Sequence, residues 1–170
     1  MRVGDVCHRD PVTTSAEECV RRAAELMRLH HIGDVIVLGS GDGRELPVGL
    51  VTDRDLVLQV LEPGLDPELT ALGEVMSQPV ITLDEGEDLE HALMRLQAAG
   101  VRRAPVVDTA GRLAGILVLE DVIDVLAHQL GMVSSLFGRE QTREAKRWPS
   151  GGEAPAAGGG IAAGMVHGAL

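Results

Sequence analysis

Aromatic side chains are nearly missing from this chain: they make up 1% of it, as Phe137 and Trp148, with no tyrosine. Without them there is no stacking platform for single-stranded nucleic acid. Basic residues are also scarce, 15 Lys and Arg against 26 Asp and Glu, a formal net charge of -11. Such a balance excludes nucleic acid as a general partner, because phosphate binding needs a basic field. No apolar run is long enough to span a bilayer, and the opening MRVGDVCHRD lacks the apolar core of a secretory leader. Cysteine is limited to Cys7 and Cys19, which form no CxxC and read as reduced thiols of a cytoplasmic protein. GxSxG, HExxH and a cysteine with an evident histidine partner are all absent, so the reading is not an enzyme. His30 and His31 are neighbours near a helix end and diverge; His8, His91, His128 and His167 show no ligand spacing, so no metal site is expected.

What the chain does have is aliphatic. An apolar content of 45% over 170 residues supports a real core of Val, Leu, Ile, Ala and Met, which suits a mixed α and β domain. Folding should bury roughly two-thirds of the extended surface. The chain also says the same thing twice. Residues 3–7 (VGDVC) match 72–76 (LGEVM), and Pro11-Val12-Thr13-Thr14 matches Pro79-Val80-Ile81-Thr82, 68 positions on. Ala23, Met27 and Ile32 match Ala92, Leu96 and Val101, 69 positions on, and residues 49–55 (GLVTDRD) return as 115–121 (GILVLED), 66 positions on. The offset changes where loops should lie, and the period is too long for a solenoid unit.

Each copy reads as an extended segment, helix, strand, turn, strand and helix. The apolar spacing predicts helices over about 16–30 and 85–99. Strands fall at 35–38, 46–51, 104–107 and 113–117, with Gly39-Ser40-Gly41-Asp42-Gly43 as a hairpin turn. The expected organisation is a first repeat over 1–62, a linker over 63–70 carrying Pro63 and Pro67, and a second repeat over 71–127. A helix over 128–148 continues the apolar stripe Val122, Leu126, Leu130, Val133 and Phe137. The Gly/Ala-rich residues 149–170 are expected to be disordered.

Thr52-x-x-Asp55 stands where an apolar strand passes into a helical pattern. It reads either as a capping box or as a polar cluster at a helix N-terminus, where outward N–H groups favour anions. In the second copy Val118 takes the cap position while Asp121 remains, so that carboxylate has no box to complete; a helix-dipole role would still account for it.

Residues 49–55 and 115–121, the run Val101-Arg102-Arg103-Ala104-Pro105-Val106-Val107-Asp108, and the paired Gly-Asp-Val-Cys and Gly-Glu-Val-Met starts resemble a tandem CBS domain pair, a Bateman module. The resemblance covers about 3–126. It implies an α+β fold of two β-α-β-β-α repeats about a pseudo-two-fold axis, with two clefts that in this family take AMP, ADP, ATP or S-adenosylmethionine. Carried over residue by residue, one site combines Thr52, Arg54 and Asp55 with Gln78, Pro79, Val101 and Arg102. The other combines Val118 and Asp121 with Asp10, Pro11, Ile32 and Gly33, with Arg103 facing its phosphates. The aspartate would accept from the ribose diol, and Thr52 and Arg54 would reach the phosphate, with Mg²⁺ as a companion to it. The expected partners are an adenosine-type small molecule, a second copy of the chain and a regulated protein; a ligand-free dimerisation or docking module is the alternative.

The two sites differ in charge. Asp34 occupies the position matching Arg103, and Glu120 the position matching Arg54. Like charges about 4 Å apart repel by a few kcal/mol near a protein surface, so the Asp55 site is expected to take the nucleotide and the Asp121 site to be weak or empty. Arg102 and Arg103 are adjacent on a strand, so alternation predicts that they cannot both serve one ligand.

Overall fold

The computed structural model describes residues 1–39 and 46–147. The centre of the expected hairpin turn and the expected disordered tail lie outside these residues. Six strands form two three-stranded sheets of the same design. In the first, β1 (Thr13–Ser15) lies parallel to β2 (Asp34–Leu38), which pairs antiparallel with β3 (Pro47–Thr52). In the second, β4 (Leu83–Asp84), β5 (Arg103–Val107) and β6 (Leu113–Val118) repeat that order. Both central strands slip register at the same point, Val37/Leu38 and Val106/Val107.

Two 11-residue helices, α1 (Val20–His30) and α4 (Leu89–Ala99), cover the sheets. Their buried faces, Val20, Ala23, Leu26 and Met27 against Leu89, Ala92 and Leu96, follow the helical period read from the sequence. Both helices start later than expected. Residues 16–18 instead pair through their backbone with 72–73: Leu72 N–H donates to Glu18 O at 2.9 Å and Gly73 N–H to Ala16 O at 2.9 Å. Helix α2 (Asp53–Leu56) is a single turn that passes directly into a π-helical turn, Val57–Leu61. Helix α3 (Leu72–Val75) and a 3₁₀ turn (Val3–Asp5) open the two copies.

These opening segments are exchanged between the halves. Val3 N–H donates to Glu87 O at 3.0 Å, Leu89 N–H to Met1 O at 2.9 Å, and His8 and Ile116 exchange two backbone bonds of 2.9 Å. Reciprocally, Val20 N–H donates to Thr70 O at 3.0 Å and Ser77 N–H to Leu50 O at 2.9 Å. The cores follow the exchange: Val3 and Cys7 pack with Leu83, Leu96, Val106 and Leu117, while Leu72 and Val75 pack with Val20, Met27, Val35 and Val51. A third cluster, Ile36, Leu50 and Ile116, joins the sheets. Each packed half therefore contains the start of the other sequence copy.

Residues 1–128 form one compact unit, and a second begins at Gln129. Helix α5 runs over Leu119–Arg147. Of the stripe read from sequence, Val122 is buried in the core; a row of Ile123, Leu126, Leu130, Val133 and Phe137 is exposed on α5, as are Met132 and Leu136.

Candidate ligand-binding cleft

A cleft of about 460 Å³ opens between the two copies. One wall is the end of β3 and the turn into α2: Leu50, Thr52, Asp53, Arg54 and Asp55. The facing wall comes from the second copy: Ser77, Pro79, Val80 and Ile81 on the extended segment, and residues 99–103 where α4 passes into β5. The exchange of opening segments builds this cleft, because the Ser77–Leu50 backbone bond fastens the second copy's segment to the first copy's strand.

Of the residues assigned by resemblance to the first site, Thr52, Arg54, Asp55, Pro79, Val101 and Arg102 line the cleft. Gln78 lines an adjoining open depression with Pro47, Val48, Pro79 and Val80. Arg103, assigned to the second site, lines the first cleft together with Arg102. Alternation does not separate these arginines, because β5 begins at Arg103 and Arg102 still belongs to the preceding turn. Arg103 also bonds through Nη1 to Asp34 Oδ2. The two residues hold matching positions at the starts of β5 and β2, so this ion pair bridges the two copies at equivalent points.

The second group is not drawn into either cavity. Val118, Asp121, Pro11, Ile32 and Gly33 are half-buried and Asp10 is exposed. Gly33 instead supports the first site: its carbonyl accepts from Asp53 N–H at 3.0 Å, and a Cβ there would lie 3.5 Å from Asp53 Oδ2. Leu50, Asp53, Ser77, Val80, Ile81, Ala99 and Gly100 belong to the lining and were not singled out from the sequence. Ser77, Val80 and Ile81 flank Gln78 and Pro79 in the chain, and their nearness to those residues is the one signal that pointed to them.

The capping box at Thr52 forms in full. Asp55 Oδ2 accepts from Thr52 N–H at 2.8 Å and from the Thr52 hydroxyl at 2.7 Å, and Asp55 N–H donates to Thr52 Oγ1 at 3.2 Å. Arg54 N–H donates to Asp53 Oδ1 at 2.7 Å. The amides of residues 52–55 are therefore all used within the protein, so of the two readings from sequence the capping box is the one that forms. The Thr52 hydroxyl likewise gives its proton to Asp55 and not to the cleft. Three kinds of group remain for a ligand: Asp55 Oδ1 and the Ser77 hydroxyl, which no described hydrogen bond uses, and the guanidinium groups of Arg54, Arg102 and Arg103. Arg54 and Arg102 are exposed and have no carboxylate partner among the described residues. The cleft thus joins a carboxylate suited to a pair of hydroxyls with cations suited to phosphate.

Among the described residues no cluster of three or more His, Cys, Asp or Glu side chains is placed to hold a metal ion. No helix among them is long and apolar enough to cross a membrane.

The same architecture is met in known proteins. The CBS domain family model matches residues 3–62 and again 72–128, so the chain belongs to the CBS domain family and carries the domain twice. It is 38% identical over 123 residues to an uncharacterised protein of Methanopyrus kandleri, a match that covers 72% of this chain and 61% of that relative. It is 32% identical over 120 residues to the CBS domain-containing protein YhcV of Bacillus subtilis, with 71% of this chain and 81% of that one covered. Among solved structures, the CBS domain pair of protein MJ0100, in complex with 5′-methylthioadenosine and S-adenosyl-L-methionine, superposes with a TM-score of 0.66 at 23% identity, over 76% of this chain and 98% of that one.

Proposed function

We propose that this CBS pair is a regulatory module that senses an adenosine-containing nucleotide in the cleft between its copies and passes the occupancy on to a protein partner or to its own dimer. One observation carries the reading: a single cleft takes Asp55 from the first copy and the Val101–Arg103 stretch from the second. A ligand seated there touches both copies, so it favours one relative arrangement of them over others, and differential affinity of this kind is all that a sensor requires. Asp55 Oδ1 would accept from the ribose diol, the apolar edge of Pro79, Val80 and Val101 would pack on the base, and the arginines would meet phosphate. The adenosine compounds bound to the MJ0100 pair support the ligand class. A chain with binding and no chemistry fits the same picture.

The exposed row Ile123, Leu126, Leu130, Val133 and Phe137 on α5 supports self-association, since its alternating spacing of three and four residues is that of a helix-pairing seam. The same row favours a second reading, a ligand-free docking module.

Thermal unfolding in AMP, ADP, ATP, S-adenosylmethionine and NADH separates the readings. A ligand at ~100 times its dissociation constant adds about 2.7 kcal/mol and raises the melting temperature by several degrees. A sensor responds to at least one compound, and a chain that responds to none is the docking module.

A further inference from the structure

The Asp34–Arg103 ion pair lies beside the cleft and is mostly shielded from solvent, with side-chain exposures of 17% and 20%. Most other described arginine–carboxylate pairs differ in kind. Those of Arg9, Arg21, Arg22, Arg95 and Arg112 have arginines about half exposed or more, and none of them lines the cleft. Arg103 alone among these arginines both lines the cleft and is held by an acid. The amides of residues 52–55 on the facing wall are satisfied internally, so the cations that can meet a phosphate in the cleft are guanidinium groups, and one of those is already engaged.

We infer that Asp34 is a specificity-determining residue: it competes with ligand phosphate for Arg103 and so sets the charge of ligand this cleft accepts. The inference rests on the nucleotide reading above and adds the residue that selects a nucleoside phosphate over an uncharged nucleoside or a sulfonium. Arg54 and Arg102, unpaired among the described residues, attract a phosphate chain from opposite walls. Arg103 joins them only when the chain carries enough negative charge to draw it from Asp34. A cationic ligand gains nothing from the three arginines and leaves the pair closed. Asp34 acts through Arg103 and is a positioning residue, so replacing it must shift ligand preference by charge and not merely weaken the fold.

The test is calorimetric titration of the full chain with ADP, adenosine and S-adenosylmethionine, in the wild type and in Asp34→Asn, Asp34→Glu and Arg103→Gln. Removing the charge at 34 frees Arg103, so Asp34→Asn raises the ADP-to-adenosine affinity ratio by about tenfold, the scale of one charge-assisted hydrogen bond. It lowers the S-adenosylmethionine-to-adenosine ratio. Asp34→Glu restores the wild-type ratios, and Arg103→Gln brings the ADP ratio down. A variant that loses stability alone would change all three affinities together, leaving both ratios fixed. Adenosine binding with ratios unmoved by Asp34→Asn overturns this inference and leaves the nucleotide reading standing. Binding of none of the three compounds to any of the proteins overturns both.

Discussion

The two copies share a backbone plan down to the register slip in each central strand, yet the side chains equivalent to those of the cleft differ, at two positions in the sign of their charge. Where the first cleft presents Thr52, Arg54, Arg102 and Arg103, the matching positions are Val118, Glu120, Gly33 and Asp34. The positions that stay alike are the apolar ones: Val35 and Ala104, Val37 and Val106, Val51 and Leu117, Ala23 and Ala92 are all buried. Burial holds the core positions to similar chemistry, since cavities and buried charges are costly. Residues on the cleft rim meet water and are free to diverge. Duplication therefore supplies one scaffold and two differently charged sets of side chains at equivalent positions.

The comparison can be broken first at its tightest contact. Gly49 and Gly115 are equivalent and both lie under the exchanged segments, but they face different atoms. A Cβ at 115 would stand 2.5 Å from the His8 carbonyl oxygen, whereas at 49 the obstacle is the Met76 side chain, with Sδ at 2.2 Å. A thioether can swing away, and a backbone carbonyl paired with Ile116 cannot. Gly115→Ala is expected to cost about 3 kcal/mol in urea unfolding and Gly49→Ala about 1 kcal/mol, the two ends of the range for overpacking. Equal losses would mean that the two crossings are not held differently.

Next in size is the helix end. His31 closes α1 with φ 55°, and Gly100 closes α4 with φ 68°. Only glycine adopts this left-handed conformation without steric cost. His31→Gly should therefore raise stability and Gly100→Ala lower it, each by about 1 kcal/mol, as read by the shift in denaturation midpoint. A loss of stability in His31→Gly would show that the imidazole contributes more than the strain it carries.

The smallest effect lies in the thiols. Cys7 is buried in the second core, while Cys19 is half-buried. Burial pushes the Cys7 thiol up, against the opposing pull of Arg9. A raised folded pKa means that its stabilising contribution is complete below the unfolded thiol's pKa of about 8.5. It is lost as pH climbs from there through the folded value, because the unfolded chain releases its proton first. Urea midpoints measured across that alkaline window should fall less in Cys7→Ala, relative to its own neutral value, than in the wild type. A parallel decline in both would assign the alkaline loss to other groups.

Much of this molecule was legible before its structure. The strands at 35–38 and 113–117, the helical faces through Ala23 and Ala92, and the Thr52–Asp55 box all follow from periodicity and capping chemistry, which are local. The exchange of opening segments was not legible. A repeat reveals that residues 3–7 resemble 72–76, but either could pack on either sheet, and only long-range backbone pairing decides. The same limit hid the role of Arg103. Strand alternation applies inside a strand, and Arg103 is the first residue of β5. Its partner Asp34 lies 69 positions away; the sequence marks the two as equivalent and contains nothing that marks them as touching. Of the two readings of Thr52-x-x-Asp55, the capping box is the one that forms, and it consumes the amides that the other reading needed open.

The difference between the two sets of equivalent positions reduces to one stoichiometry. Calorimetric titration of ADP into the wild type, Asp55→Asn and Asp121→Asn measures it directly, with asparagine chosen because its carbonyl can still accept the bond from Thr52 N–H. The account predicts one site per chain in the wild type, affinity reduced by an order of magnitude or more in Asp55→Asn, about the worth of a hydrogen bond to a charged group, and little change in Asp121→Asn. Two equal sites, or binding that survives at Asp55 and fails at Asp121, would contradict it.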